Sequence, residues 1–551
     1  MYSIRCRAAA GRYTRHLRVS PTPYTTLSQP ACIALLRSAP QKRQFSFTQS
    51  PQRSTSGSSS SSKSSRRPEF FPTATAAVSD LHNGITILSQ GFGLCGVPET
   101  LLDAIRTRDL RDLTVVSNNA GARDCGLAKL SENGQIAKMI GSFIGTNKNM
   151  VKAFLEGRMS VELCPQGTIV ERLRAAGAGI PAFYTRTGVN THVQTGEIPA
   201  RYDAQGKAGE RAVVEFGRPR ETRVFEGQMF LMEHALHGDV AILRAWKVDK
   251  AGNCVFRSTT RNYATVMAKA AKMTIVEAEQ VVELGEIDPD QVHLPGIFVD
   301  RVVPATSDKH IEILKVDQGG NADEATASED EIKRIRIAKR AAKELKDGSY
   351  VNLGVGIPTL APSYLPEGTH VTLHSENGIL GMGPYPASKA EADPDTVNAG
   401  KETVTLIKGA SVFDTADSFA MIRGGHIDVS ILGALQVSAS GDLANYMVPG
   451  KVFNGMGGAM DLVSNPDETK VVVTTYHTDK NGKSKVVEQC DLPLTGRNVV
   501  STIITELCVF EVDRGRGGLT LTELAEGVDV ETVKQKTDAA FAIAPELQTM
   551  S

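Results

Sequence analysis

Apolar residues in this chain fall into short β-branched runs, and Ala-rich stretches of helical spacing separate them. That alternation is the signature of an α/β protein. From Glu69 onward the pattern predicts a helix, an Asn83-Gly84 turn, a strand over 85–88 and a Gly-rich GFGLCGVP ending at Pro98. A strand at Leu113–Val116 follows and runs into Ser117-Asn118-Asn119. The same order returns further on: a helix over 335–345, Asp347-Gly348, a strand at Tyr350–Leu353, GVGIP ending at Pro358, and a strand over 370–373 before Ser375-Glu376-Asn377-Gly378. Each proline stands where a helix could begin, because its missing N–H is not needed there.

Later glycine-rich pieces extend the match. Residues 176–179 pair with 455–458, and His293-Leu294-Pro295-Gly296 pairs with Pro493-Leu494-Thr495-Gly496. A repeat this long is a domain duplication rather than a solenoid. The fold expected is therefore two related open α/β domains fused in one chain, over 69–316 and 332–551, with a site between them. Residues 317–331 (DQGGNADEATASEDE) read as the linker, being acidic, rich in small residues and without apolar periodicity.

Charge divides the chain differently. Its first 68 residues hold twelve Lys or Arg and no acid, with arginines spaced through a Ser/Thr/Ala background. That is transit-peptide composition, and it predicts import into the mitochondrial matrix, with a Ser-rich tract after the address. Removing those twelve leaves 49 basic residues against 62 acidic ones, a net charge of -13. A body so acidic argues against nucleic acid as a partner. No apolar run reaches about 18 residues, so no membrane span is expected. The eight cysteines are scattered without a CxxC, which supports neither a disulfide framework nor a zinc site.

Candidate chemistry concentrates at one strand end. In open α/β sheets ligands gather at the carboxyl ends of strands. There the first half offers the amide of Asn118 and the second the carboxylate of Glu376, which makes Glu376 the reactive candidate. The same tetrapeptide recurs at Ser131-Glu132-Asn133-Gly134, but after a helical segment, so Glu132 reads as a surface residue. Gly91, Gly93 and Gly96 match GxGxxG. The next strand, however, ends in Ser117-Asn118-Asn119, where a dinucleotide site needs an acid for the ribose. Phosphate-loop, zincin and serine-hydrolase motifs do not occur.

These segments resemble the 3-oxoacid CoA-transferase family, and within it the succinyl-CoA:3-ketoacid type in which two bacterial-like subunits are fused. The resemblance spans about 69–549 and rests on GFGLCGVPE (91–99), SNNAG (117–121), CPQGT (164–168), HLPGIFVDR (293–301), NLGVGIP (352–358), SENGILGMGPYP (375–386), NAGKETVTL (398–406), GDLANYMVPGK (441–451) and GMGGAMDLV (455–463). It implies that Glu376 carries CoA as a covalent thioester in a ping-pong exchange between succinyl-CoA and a 3-oxo acid such as acetoacetate, the chemistry of ketone-body use. It implies oxyanion or positioning roles for Asn118, Gln166 and Gly458, and a ligand loop made of Gly91, Gly93, Asn352, Gly354, Gly356 and Asn377. No metal or cofactor is implied, since CoA is itself a substrate; the partners are acyl-CoA, carboxylic acids and a second copy in a homodimer. One departure is Thr146-Asn147-Lys148, where the family often carries an acid followed by Asn. The rival readings are an acyl-CoA hydrolase on the same scaffold and a non-catalytic ligand sensor, which would not need a carboxylate at 376.

Overall fold

A computed structural model describes residues 67–550 except 123, 207–210, 318–326 and 450–451. The import segment and most of the linker expected from sequence lie outside the described residues. Two large sheets organise the rest. The first, of nine strands, uses residues 69–304, and the second, of ten, uses residues 350–550.

The duplication is legible strand by strand. In the first sheet five strands run parallel in the order Leu113–Val116, Thr86–Ser89, Gly238–Asp249, Ala271–Val282 and Arg301–Pro304. In the second the order is Thr372–Ser375, Tyr350–Leu353, Val429–Leu432, Lys470–Thr474 and Thr502–Ile504, again parallel. Register makes the match residue by residue. Leu88 pairs with Val116 and Ala241, as Asn352 pairs with His374 and Ser430. One step past Val116 and His374 come Ser117 and Ser375, and one more brings Asn118 level with Glu376. Most residues of these strands are buried on both faces, as in a parallel sheet covered by helices.

Topology moves one expected correspondence and keeps another. Residues 176–179 close a helix (Gln166–Gly177) at a turn where Gly179 is left-handed, whereas 455–458 precede a helix (Ala459–Leu462). The counterpart of 455–458 is instead the segment before Ala264–Ala270, between the third and fourth common strands. The ends 293–296 and 493–496 do correspond, each lying between the fourth and fifth. Pro358 begins a 3-10 helix (Ile357–Tyr364), where Pro362 withholds an N–H. The helix expected at 335–345 is Glu329–Ala342 and so starts inside the acidic stretch expected as linker. Ser328 and Glu331 close a capping box, and three acids in the first turn suit the positive end of the helix dipole.

Two helices from each half meet between the sheets: Gln166–Gly177 and Ala264–Ala270 from the first, Thr415–Arg423 and Ala459–Leu462 from the second. One hydrophobic core runs through this layer, with Ile169, Leu173 and Met267 in the same cluster as Phe419, Ile422 and Leu462. At Gly167 any side chain would collide with Asp461 and Phe419, so the halves approach closely there. Burying this shared apolar surface fixes the relation of the two halves.

Candidate functional site

Glu376 sits where the strand Thr372–Ser375 turns back into the antiparallel strand Ile379–Met382. The reversal takes three residues, closed by the Gly378 N–H donating to Ser375 O at 2.9 Å. Only glycine fits position 378, because φ is +116° and a Cβ would strike Phe413 O. The Ser-Glu-Asn-Gly order therefore makes a hairpin tip with the carboxylate at its apex. Its namesake behaves otherwise: Glu132 is exposed, ends the helix Ala128–Glu132 and accepts from Asn149 Nδ2 at 3.1 Å.

A cavity of about 610 Å³ opens between the halves and takes in Glu376, Asn118, Gln166, Gly458, Asn352 and Gly354. Gly91, Gly93, Gly356 and Asn377 lie outside its lining. Gly91 (φ +146°) and Gly93 (φ +61°) shape a tight turn behind it, and the Gly93 N–H donates to Asn119 Oδ1 at 3.2 Å. Gly356 starts the 3-10 helix, and Asn377 is buried among hydrogen bonds of the hairpin. Thr146 lines the cavity, while Asn147 caps the helix Lys148–Leu155 and Lys148 is exposed, so the lysine of the departure lies outside the lining.

Polar groups in this cavity are held but unsatisfied. Asn118 Oδ1 lies 2.7 Å from Ser142 Oγ and 3.2 Å from Tyr263 OH, which leaves the Asn118 amide nitrogen as its free donor. Tyr263 OH also reaches Gln166 O at 3.4 Å, so one buried phenol braces both residues. Gln166 opens its helix, its backbone N–H on Gly457 O at 2.9 Å. Asp461 caps that helix by accepting the Gly167 N–H at 2.9 Å and the Thr187 hydroxyl at 3.0 Å. Burial pushes the Asp461 carboxyl up to about 6. The N–H of Gly458 donates to no described residue, and a Cβ at this position would lie 3.5 Å from Glu376 Cγ.

Thirteen buried side-chain N or O atoms lack a hydrogen-bond partner among the described residues. Five belong to residues of this cavity lining: Asn119 Nδ2, Gln166 Nε2, Glu312 Oε2, Asn352 Oδ1 and Tyr446 Oη. Buried polar groups are normally paired, so such clustering marks a place built to receive a polar ligand. Lys401 is the one Lys or Arg in the lining. Its Nζ lies 3.0 Å from Glu312 Oε1 and 5.3 Å from the centre of the Phe143 ring.

The Glu376 carboxyl is enclosed by protein and open only to the cavity, and this burial pushes it up to about 7. Its own backbone N–H and the Asn352 side chain oppose the shift. The Asn352 amide nitrogen lies 3.1 Å from His374 Nδ1, and His374 Nε2 lies 2.9 Å from Ser418 Oγ. Burial takes His374 down to about 4, so near neutrality the ring is uncharged and orients Asn352 by a hydrogen bond. Elsewhere, Glu99, Cys125 and His310 bring ligand-type atoms within 4.8 Å of one another. Lys129 Nζ already lies 2.9 Å from Glu99 Oε2, and burial raises the Cys125 thiol, so this is an ion-paired cluster with a neutral thiol.

The sequence reading missed Ser142, Tyr263, Asp461 and His374. Only His374, two residues before Glu376, carried a local signal.

The coenzyme A transferase family model matches residues 71–305 and 334–536, one stretch in each half, and the chain belongs to this family of CoA-transferring enzymes. It is 47% identical to the mitochondrial succinyl-CoA:3-ketoacid coenzyme A transferase 2A of Rattus norvegicus, covering 88% of this chain and 91% of the rat protein. One of the separate subunits of the Helicobacter pylori succinyl-CoA:3-ketoacid coenzyme A transferase is 54% identical over 38% of this chain and 99% of its own length. Among solved structures, an acyl-CoA transferase of E. coli O157:H7, in a thioester complex with CoA, shares the fold with a TM-score of 0.67 at 21% identity, covering 88% of this chain and 96% of that one. Among the described residues no helix is long and apolar enough to cross a membrane.

Proposed function

We propose that this enzyme moves CoA from succinyl-CoA to a 3-oxo acid such as acetoacetate, with Glu376 as the covalent carrier. The observation that carries the reading is a hairpin-tip carboxylate in a cavity between the halves, with Gly458 packed against its side chain and the Asn118 and Gln166 amides in the same lining.

Ionised Glu376 attacks the acyl-CoA carbonyl, and the carbon–sulfur bond breaks to leave a mixed anhydride and CoA thiolate. The thiolate then attacks the Glu376 carbonyl, giving a glutamyl-CoA thioester and the free acid. An incoming carboxylate reverses both steps, which gives ping-pong kinetics. One thioester is exchanged for another, so the chemistry balances without ATP or a redox cofactor. Each tetrahedral intermediate bears an oxyanion. A fixed donor such as the Gly458 N–H or Asn118 amide contributes about 2.7–4 kcal/mol. Positioning supplies the rest, since a held carboxylate reaches effective molarities on the order of 10⁵–10⁸ M.

The rat relative's name and the basic, acid-free first 68 residues support the mitochondrial matrix as its compartment. A homodimer is part of the reading, supported by the exposed Val214, Phe216, Val224 and Phe225 on two small sheets of the first half. The test is to mix the protein with acyl-CoA and no acceptor, then read intact mass. A CoA adduct that borohydride reduction maps to Glu376 is expected. An active Glu376→Gln enzyme overturns the assignment, and turnover independent of an acid acceptor points to a hydrolase instead.

A further inference from the structure

Both chain neighbours of Glu376 are tied to one loop of the second half. The Ala399 N–H donates to Ser375 Oγ at 2.8 Å, Ser375 Oγ donates to Asn377 Oδ1 at 2.6 Å, and Asn377 Nδ2 donates to Val397 O at 2.7 Å. The hairpin tip is thus clamped on either side of its carboxylate by residues 397–399.

That loop is fastened to the other half of the molecule. Asp395 is 1% exposed, and its carboxylate receives Arg257 Nη1 at 2.9 Å and Lys309 Nζ at 2.6 Å, both from the first half. Its backbone oxygen accepts the Thr259 N–H at 2.9 Å and the Thr259 hydroxyl at 2.6 Å, and the Val397 N–H lies 3.3 Å from Thr259 Oγ1. A continuous path of hydrogen bonds therefore runs from Arg257, Thr259 and Lys309 through Asp395 and Val397 to Ser375 and Asn377.

We propose that Asp395 is a positioning residue for the transfer reaction, latching the first half onto the loop that clamps the Glu376 hairpin. This rests on Glu376 being the nucleophile. The carboxylate must meet the acyl carbonyl while that carbonyl's oxygen meets donors which, for Asn118 and Gln166, belong to the first half. The latch spans these two halves through the loop that hydrogen-bonds both chain neighbours of the nucleophile. Both cations have a second carboxylate, Arg257 with Asp393 at 2.7 Å and Lys309 with Glu279 at 2.8 Å. Removing the Asp395 charge therefore strands neither, and the fold should outlast the loss of the latch.

The experiment is Asp395→Asn in the full chain, with thioester formation followed by quenched intact mass in a single turnover. The step is expected to slow by about 10- to 100-fold, the scale on which small misplacements act, with half-saturating acyl-CoA unchanged. Thr259→Val removes the hydroxyl's two bonds in the latch and should slow the same step, which keeps the test sound where the Asn variant folds poorly. Asp467→Asn cuts a different pair between the halves, Arg186 with Asp467 at 3.4 Å, and should leave the step at its normal rate. Ser375→Ala combined with Asp395→Asn should slow it little more than the worse single change, because both act through one path. An adduct that forms at the normal rate in both latch variants, or slowing that multiplies with Ser375→Ala, overturns the proposal while leaving Glu376 as carrier. Absence of any adduct in the unaltered enzyme removes the nucleophile itself.

Discussion

In the proposed reaction Glu376 attacks only as a carboxylate, and burial lifts its carboxyl from about 4.5 to about 7. At pH 6 about one molecule in eleven is then ionised, and at pH 8 about ten in eleven. Single-turnover thioester formation should therefore rise about tenfold between pH 6 and pH 8, with a midpoint near 7. A solvated glutamate would already have reached its plateau by about pH 5.5.

The same shift has a thermodynamic face with a definite sign. Between pH 4.5 and 7 the folded state holds this proton more tightly than the unfolded chain does, so stability falls as pH rises through that window. The full penalty is present above pH 7. About 2.5 pH units correspond to roughly 3.4 kcal/mol, reduced to about 2 kcal/mol because the carboxylate meets water in the cavity. Glu376→Gln removes this penalty alone and keeps Asp461, Glu277 and Asp417, so subtracting the two melting curves cancels these other raised carboxyls. The variant's advantage in melting temperature should be near zero at pH 4.5, grow up to pH 7 and then level off. A rate profile flat from pH 5.5 to 8, or a stability difference indifferent to pH, would refute the argument.

Gln166→Met should stabilise the protein by about 1 kcal/mol, since it deletes a buried donor without a partner, while slowing transfer about 10²-fold; thermal melts and steady-state assays read the two effects. Tyr263→Phe takes away the phenol that braces Asn118 and Gln166, and should cost about 1 kcal/mol of stability and lower kcat about fivefold with little change in KM. Gly378→Ala forces a side chain into a left-handed turn against Phe413 O. It should lower stability by about 1–3 kcal/mol, seen in denaturant midpoints, and displace the hairpin enough to abolish thioester formation.

What could be seen in the sequence was local. Strand ends, the tight turn at Gly378 and the equivalence of Asn118 with Glu376 follow from β-branched runs and turn residues within a few positions of each other. The brace around them does not. Tyr263 lies 145 residues from Asn118, and Asp461 lies 294 from the Gly167 N–H it accepts, so nothing in either neighbourhood announces the contact. Glycine content alone also misleads, because glycine serves helix ends and close approaches alike. At Gly179 it relieves a left-handed turn, whereas at Gly455 any side chain would collide with Ser142 O of the other half. Composition alone makes the acidic run before Ile335 a linker, although a Ser and a Glu three apart define a capping box in which acids belong.

The two sister strand ends diverged because the chain leaves them in different directions. After Val116 the next strand, Ile136–Gly141, is parallel, so the chain needs a crossover, and Asn118 lies in its opening turn. There Ser142, from the end of that parallel strand, can reach back to pin the amide oxygen and free the nitrogen to donate. After Ser375 the next strand is antiparallel, and the chain must reverse within three residues. A side chain at the apex of so short a reversal has no following loop to fold beneath, and only the cavity receives it. The register carries the divergence one strand inward: where the first half has the apolar Leu88, the second has Asn352, an amide beside the carboxylate. An amide end and a carboxylate end, the proposed donor and nucleophile, thus sit on equivalent strands through the choice between a crossover and a hairpin, with the shared helical layer keeping the two opposed.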